Sequence, residues 1–277
     1  GVNAYLWRMR HVNSHHVFPN VNGCDIDIDH NLFIRLSPNQ PSRWYHRYQH
    51  IYAPALYMLV AVHTIFIQDP IYLFKTRLAN MRNISHPTRE IIIFVAAKLA
   101  YSALMISIPI WVMDLSPVHV AVGYATMSAV VSLLFVFLLI GTHFAEETEF
   151  PTLDADGSIP GNWVSHTMDT SLDWAPESKI ANFLVGGINT HAAHHLFPTV
   201  SHVHYVALTR IIHEAARKHG VRYNRTTLPG MLKSHFAYLR HVGNDALKPP
   251  VKKETSDAIS GSPPPRSADQ TLQALHG

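Results

Sequence analysis

The chain has 277 residues, of which 47% are hydrophobic and 15% are charged, with a formal net charge of +3. Soluble domains carry about 25% charged residues, so this composition excludes a disordered chain and favours one that keeps much of its surface out of water. The single cysteine, Cys24, excludes a disulfide-stapled scaffold. The cations are scattered, and we therefore expect no nucleic-acid partner.

Histidine is the unusual residue of this chain, with 21 copies against 19 carboxylates. Imidazole is the commonest metal ligand in proteins, so the excess points to a metal site. The first cluster in chain order is His11, His15 and His16, in the segment HVNSHHVFP. On a helix, these spacings place three imidazoles on nearly the same face, and the proline that follows is expected to end the helix.

Two apolar segments in the middle of the chain, 91–113 and 119–141, predict transmembrane helices. Each would be about 35 Å long as a helix, against about 30 Å of bilayer hydrocarbon. A third segment, 51–67, is shorter and contains Pro54. We interpret it as an interfacial or half-inserted helix, with a third span as the alternative.

The distribution of basic residues predicts the orientation of this hairpin. The short loop 114–118 has no Lys or Arg, whereas the segments before 91 and after 200 carry many. In the segment 68–90 these are Lys75, Arg77, Arg82 and Arg89. Because basic loops stay in the cytoplasm, we expect both ends of the hairpin on the cytoplasmic side. Both histidine clusters share that side provided that the segment 51–67 does not cross the membrane.

The second histidine cluster is His191, His194 and His195, in the segment HAAHHLFP. Two such triplets with similar continuations predict a shared metal site. His143 follows the second apolar segment directly and should emerge on the same side, so we include it as a candidate ligand, with a structural histidine at the helix end as the alternative.

Other polar residues near these motifs have simpler interpretations. The acidic segment 25–29 (DIDID) lacks the glycine and closing glutamate of a calcium loop, so surface positions or contacts behind the ligands are expected. Glu146 and Glu147 are interpreted as a solvated turn. His166 is a candidate for a contact with one of the metal ligands, not with the metal itself. Six further histidines are assigned to packing, to the membrane interface, or to the surface and contacts with the metal ligands: His46, His50, His63, His119, His202 and His204.

Six or seven ligating histidines exceed what one tetrahedral zinc accepts, so two metals are indicated. Zinc has no redox chemistry, whereas non-haem iron with imidazole ligands and open positions activates oxygen. A site beside a membrane hairpin favours a substrate that lives in lipid. The middle of an acyl chain has no polar group, so its modification there requires oxidation of an unactivated C–H bond in a dry pocket.

Four segments together resemble the membrane fatty acid desaturases, in particular the front-end and linoleoyl-CoA desaturase-like branch. They are HVNSHHVFPNVNGCDIDID, PSRWYHRYQHIYAPALY, GTHFAEETEFP and GGINTHAAHHLFPTVSHVHY. The resemblance implies an all-α integral membrane protein with a transmembrane helical hairpin, an interfacial helix and a cytoplasmic helical cap that carries a histidine-rich di-iron site. The desaturase domain would occupy 1–247, and the Pro- and Ser-rich segment 248–277 is expected to be a disordered tail.

The resemblance also implies a chemistry. The enzyme would use two non-haem iron ions, molecular oxygen and two electrons from a donor such as ferredoxin or cytochrome b5 to introduce a double bond into a fatty acyl chain. The implied iron ligands match the following residues of this chain: His11, His15, His16, His143, His191, His194 and His195.

Two features depart from the family pattern. An HxxxH or HxxxxH motif would precede His11, so we interpret the chain as an N-terminally truncated fragment that is not expected to be active alone. Front-end desaturases usually have glutamine at the position of His191, so their regiochemistry is not carried over. The alternative functions are an acyl or hydrocarbon hydroxylase on the same iron site and a histidine-rich membrane metal-binding or transport protein.

Overall fold

A computed structural model describes residues 1–28 and 31–244 of the chain. The predicted tail at 248–277, the predicted domain end at 247 and Asp29 of the acidic segment lie outside these residues. The amino-terminal part consists of α1 (Ala4–Arg10), which Asn3 caps through its side chain, a π-helical turn (His11–His15) and a short 3-10 turn (Ile26–Ile28). The chain is thus helical from Ala4 to His15, as the spacing of the first histidine cluster predicts.

A bent helical segment follows in place of the predicted interfacial helix 51–67. It comprises a 3-10 turn (Trp44–Tyr48) continued by α2 (Gln49–Tyr57), and then α3 (Val60–His63), a π-helical turn (Thr64–Gln68) and α4 (Asp69–Phe74). The two halves meet at an angle of 73°, the geometry of a broken span or a re-entrant loop. The helix is therefore longer than predicted, and its path through the membrane stays a prediction.

Two helices long and apolar enough to cross a membrane confirm the predicted hairpin. The first, Thr88–Trp111, contains α5 (Thr88–Ser102), a π-helical turn (Ala103–Ser107) and α6 (Ile108–Trp111). The second, Pro117–Thr142, contains α7 (Pro117–Leu139) and a 3-10 turn (Ile140–Thr142). Pro117 occupies the first turn of α7, where its missing N–H costs nothing.

The remaining helices form a cap beyond the end of α7. They are α8 (Trp163–Asp169), α9 (Lys179–Leu184), α10 (His191–Leu196), α11 (Tyr205–His219) with a preceding 3-10 turn (His202–His204), and α12 (Leu228–Asn244). α12 joins the cap to the membrane segments, because its Leu239 packs with Tyr57 and Val136 whereas its Met231 packs with Trp174.

The prediction of an all-α chain needs one small correction. β1 (Asp173–Trp174) and β2 (Arg225–Thr226) form a two-stranded parallel sheet. The pairing arises where the extended chain after α8 passes the segment before α12, and Asp173 N donates to Asn224 O. A two-residue strand is too short to show the alternation that identifies strands in a sequence.

A buried ion pair connects the hairpin to the bent segment. Lys98, the charged residue of the apolar part of α5, places its Nζ 2.8 Å from Asp69 Oδ2, and the Asn3 backbone N–H donates to the same oxygen. The Asp69 side chain is 1% exposed. The pair therefore holds α1, α4 and α5 together.

Replacement of Lys98 with Met should destabilise the protein by about 3–5 kcal/mol, because the Asp69 carboxylate would stay buried without its partner. Thermal unfolding in a mild detergent measures the loss. The double variant K98M/D69N removes both charges and should recover most of the stability. Equal losses in the single and double variants would show that the ion pair does not connect these helices.

Candidate metal centre

Three elements bring the predicted histidines to the cap end of the hairpin. α1 continues into the π-helical turn that carries His11 and His15, and α10 begins at His191. His143 follows the last turn of the second span, which ends at Thr142. All seven predicted candidate ligands meet in this region and fall into two groups of histidines, and within each group the possible ligand atoms lie within 4.8 Å of one another. Asp27 forms a third such group with His11 and His15.

The prediction that an ordinary helix places His11, His15 and His16 on nearly one face needs a correction, because a π-helical turn brings His11 and His16 towards the same residue while His15 belongs to the other group. In an α-helix, a residue five positions later lies about 140° around the axis, which would turn His16 away from His11. Here the His16 backbone N–H donates to the His11 carbonyl oxygen at 2.9 Å, a bond that spans five residues. The wider turn brings both imidazoles towards the same helix, because His11 Nε2 and His16 Nε2 lie 3.4 and 3.1 Å from His194 Nε2.

We call the first group the inner cluster; it consists of His15, His143, His191 and His195, all of them buried. The Nε2 atom of His143 is at its centre, 3.0 Å from that of His15, 2.7 Å from that of His191 and 2.9 Å from that of His195. The Nε2 atoms of His191 and His195 are 3.2 Å apart. Four imidazoles thus direct the same ring nitrogen at one point.

The hydrogen bonds at Nδ1 determine whether the Nε2 atom of the same ring carries a proton or a lone pair. His143 Nδ1 lies 2.8 Å from the Thr170 carbonyl oxygen, and His191 Nδ1 lies 3.3 Å from the Ile188 carbonyl oxygen. A carbonyl oxygen only accepts, so both Nδ1 atoms donate and both neutral rings present an Nε2 lone pair. Two lone pairs 2.7 Å apart repel each other unless a cation lies between them, so this donor set fits a metal ion.

A buried carboxylate holds the third ring of the inner cluster. His15 Nδ1 lies 3.0 Å from Asp25 Oδ2, and Asp25 is completely buried. The same carboxylate accepts the backbone N–H groups of Asn20 and Asp27. Burial alone would lower the pKa of His15, but the carboxylates of Asp25 and Asp27 raise it above its ordinary value. Asp25 therefore orients His15 from behind, as the sequence indicates for one member of the acidic segment.

The outer cluster is the second group, His11, His16 and His194. His11 Nδ1 lies 3.7 Å from Asp27 Oδ2, which is an electrostatic contact beyond hydrogen-bond length. Arg10 holds the other oxygen of Asp27 at 3.4 Å. Although burial favours the protonated form of Asp27, the charge of His15, the contact with His11 and the charge of Arg10 lower its pKa below the usual range, so this carboxylate stays ionised beside the outer cluster.

Each pair of consecutive histidines divides between the clusters. His15 belongs to the inner cluster and His16 to the outer one, and the same holds for His195 and His194. The His16 and His195 rings stack across the boundary with centroids 4.3 Å apart. The doubled histidine of each motif therefore supplies one imidazole to each of two adjacent groups that could hold a metal ion.

Two contacts that the sequence pattern does not reveal position the ligands. Asp173 Oδ1 accepts the backbone N–H of Ala192 at 2.9 Å, in the first turn of α10, while its Oδ2 accepts the Tyr223 hydroxyl at 2.7 Å. Asp173 is completely buried, and burial raises its pKa to about 6. It thus caps the helix that carries the second histidine triplet, from a position 18 residues before His191 that no local capping motif marks.

The second such contact supports the residue after His143. His235 Nδ1 donates to the Phe144 carbonyl oxygen at 2.7 Å, and its Nε2 accepts the Tyr57 hydroxyl at 2.9 Å. His235 is completely buried on α12. The bent membrane segment is thereby linked through one imidazole to the backbone beside His143, a role that only the three-dimensional packing reveals.

The other singled-out residues lie outside both clusters. Glu147 bonds Ser234 and Glu146 lies 3.4 Å from His241, so neither supports a cluster imidazole. His46 Nδ1 accepts the Arg43 backbone N–H, in keeping with a structural role. His166 is buried, and its Nε2 has no hydrogen-bond partner among the described residues.

The metal-free protein should lose stability in acid, because burial lowers the pKa of many imidazoles below the ordinary value of about 6.5. These are His11, His16, His143, His166, His191, His194, His195 and His235, with values of about 4 for His166 and His235 and about 3 for His194. Below about pH 6.5 the unfolded chain binds more protons than the folded chain, so acid favours unfolding.

The raised pKa values of His15 and Asp173 act in the opposite direction but involve fewer groups. Thermal unfolding of chelator-treated protein between about pH 7 and about pH 5 checks the balance. We expect the melting temperature to fall with pH, and a rise over this range would contradict the assignment of neutral imidazoles.

Comparison with known proteins points to one family. The family model for fatty acid desaturases matches residues 1–227. The chain is 32% identical to an acyl-lipid (8-3)-desaturase of Physcomitrium patens, over 88% of this chain and 51% of that protein. It is also 32% identical to an sn-1 linoleoyl-lipid 6-desaturase of Arthrospira platensis, over 87% of this chain and 66% of that protein. No solved structure matches the chain significantly.

A model match over residues 1–227 covers most of the chain, and the matched part contains both histidine clusters together with the hairpin. The chain belongs to the fatty acid desaturase family. It spans about half to two thirds of the length of the two curated relatives named above.

Proposed function

We propose that the chain is the metal-binding part of an oxygen-dependent fatty acyl desaturase related to the front-end branch of the family. The observation that carries the proposal is the convergence of seven imidazoles into two adjacent clusters at the end of a membrane hairpin. One relative described above is named an acyl-lipid desaturase and the other a linoleoyl-lipid desaturase, which supports an acyl chain attached to a lipid as the substrate class. Membership of the family supports the same reaction class.

The two clusters would hold two iron ions, with the inner cluster supplying four imidazoles and the outer cluster three. A non-haem iron pair would supply oxygen activation and removal of hydrogen from unactivated C–H bonds. Neutral imidazole is a suitable ligand for iron, and the lowered pKa values of His191 and His195 keep both rings unprotonated at neutral pH. These residues therefore fit the metal that the family implies.

The protein groups around the clusters would have defined tasks. Asp25 and the Thr170 carbonyl oxygen hold the protons on His15 Nδ1 and His143 Nδ1, which leaves the Nε2 atoms free to bind metal. The burial of the inner cluster excludes water. Its position directly after the second span would bring it within reach of an acyl chain that rises from the bilayer.

Partners and orientation follow from the same proposal. The reaction needs two electrons from a donor such as ferredoxin or cytochrome b5, and oxygen as co-substrate. The basic residues of the segment 68–90 support the cytoplasmic side for both clusters. The position of the new double bond is not part of the proposal, because His191 departs from the glutamine usual in front-end enzymes.

Expression of the full-length protein in a host that lacks the product tests the proposal. Mass spectrometry of the extracted acyl chains should show a product that has lost two hydrogens. A product that has gained an oxygen atom would indicate a hydroxylase instead. Purified protein that holds zinc and consumes no oxygen would overturn both enzymatic functions in favour of a metal-binding protein.

A further inference from the structure

The short helix α9 (Lys179–Leu184) exposes three large apolar side chains on one face. Ile180, Phe183 and Leu184 are 75%, 77% and 73% exposed in the structure. Their spacing of three and four residues places them side by side on the helix surface. Single exposed apolar residues are common, whereas three on one helix face form a patch that marks an interaction surface.

The opposite face of α9 is fixed to the cap. Ala181 and Val185 pack against the cluster that contains Trp174 and Leu138. Asn182 is buried, and its side chain donates to the His202 carbonyl oxygen at 2.8 Å. The exposed face therefore cannot turn inward without loss of these contacts.

The depth of α9 relative to the hairpin follows from its neighbours. Leu138 lies in the last turn of the second candidate span, and Trp174 Nε1 donates to its carbonyl oxygen at 3.1 Å. Ala181 packs in the same cluster as these two residues. α9 thus lies near the cap end of the second span, at the level where that span would leave the hydrocarbon.

We propose that α9 is a membrane-interface helix whose Ile180, Phe183 and Leu184 side chains insert into the bilayer beside the end of the second span. The occupant of the patch would be lipid, because Ala181 and Val185 on the other face of α9 pack against the same cluster as Leu138, close to the cap end of the second span. Lys179 is exposed at the start of α9, and its long side chain can reach the headgroups while the apolar face is immersed.

This placement has a consequence for the metal centre. α9 leads through Gly186 and Gly187 into α10, which carries His191. Gly187 has a φ of 84°, and a Cβ there would lie 2.7 Å from atoms of His202 and Tyr205, so this connection is closely packed. Insertion of α9 would therefore set the height of α10 above the bilayer. The inference concerns membrane contact and does not depend on the reaction catalysed.

Site-directed spin labelling of the full-length protein in phosphatidylcholine vesicles tests the proposal. Single cysteines replace Ile180, Phe183 or Leu184, and each carries a nitroxide; native Cys24 is buried and is expected to stay unlabelled. Leu99→Cys, exposed on α5, is the lipid standard, and Lys218→Cys, exposed on α11, is the water standard. Accessibility to oxygen and to a water-soluble nickel complex is measured for each label.

We expect all three α9 labels to resemble Leu99→Cys, with an oxygen-to-nickel accessibility ratio several-fold above that of Lys218→Cys. A ratio equal to that of Lys218→Cys would place the patch in water and overturn the proposal. Labels shielded from both reagents would show that another protein segment or a second copy covers the patch, which would overturn it as well. Retained metal content in each labelled variant controls for folding.

Discussion

Alanine in place of His194 or His195 should abolish product formation by the full-length protein. His195 Nε2 lies in the inner cluster and His194 Nε2 in the outer one, so each change removes a proposed ligand from a different metal position. Loss of contacts behind a metal ligand already costs about 10–100-fold, so loss of a ligand should reduce activity by more than about 100-fold. Gas chromatography of the acyl products from expressing cells measures the effect.

Metal analysis of the same two variants separates the clusters. Each variant should retain less metal than the wild-type protein, while membrane insertion of the hairpin is unaffected because neither residue lies in a span. His204→Ala is the matched control, since this histidine is exposed and lies outside both clusters. Full activity of the His194 and His195 variants would show that the second triplet is not a set of ligands.

Asp25→Asn is expected to give the second largest effect. The Asp25 carboxylate is completely buried and lies 3.0 Å from His15 Nδ1. Asparagine has nearly the same shape but no charge, so it would hold His15 less firmly and make its ring a poorer metal ligand. We expect a reduction of about 10–100-fold in metal affinity, measured by competition with a chelator of known affinity.

A matched acidic residue controls for the change of charge. Asp154 is exposed, and its Oδ1 accepts the backbone N–H groups of Asp156 and Ser158, which an asparagine can also do. Asp154→Asn should leave metal affinity and activity unchanged. If Asp25→Asn bound metal as tightly as Asp154→Asn, the carboxylate behind His15 would have no part in holding the metal.

The features predicted best from sequence are those that depend on short, local patterns of residues. The two apolar segments have the length and composition of spans, and the helices of the hairpin, Thr88–Trp111 and Pro117–Thr142, begin and end within three residues of the predicted bounds. His191, His194 and His195 converge because one helical turn brings them together. His143 could be included because a span that ends beside it fixes its depth.

Contacts between distant parts of the chain could not be predicted in this way. Asp173 caps α10 from a two-residue strand, and His235 supports the Phe144 carbonyl oxygen from α12. Neither residue stands in a local motif, and a lone buried histidine is more often structural than functional. The π-helical turn at His11–His15 was also beyond prediction, because α- and π-helical turns share the same residue pattern.

The bend of the segment 44–74 is another feature that the sequence does not predict. Its apolar residues predict a helix, but the bend of 73° between its two halves depends on how the halves pack against α7 and α12. Pro54 marks an irregular helix without fixing where it turns. Hydropathy therefore indicates membrane contact here, while the path of the chain follows from tertiary packing.

The most direct test of the central claim is a crystallographic map of anomalous scattering, recorded at the iron edge from the full-length protein. We expect two iron peaks, one among the Nε2 atoms of His15, His143, His191 and His195 and one among those of His11, His16 and His194. A single peak, or peaks away from these nitrogens, would contradict the account.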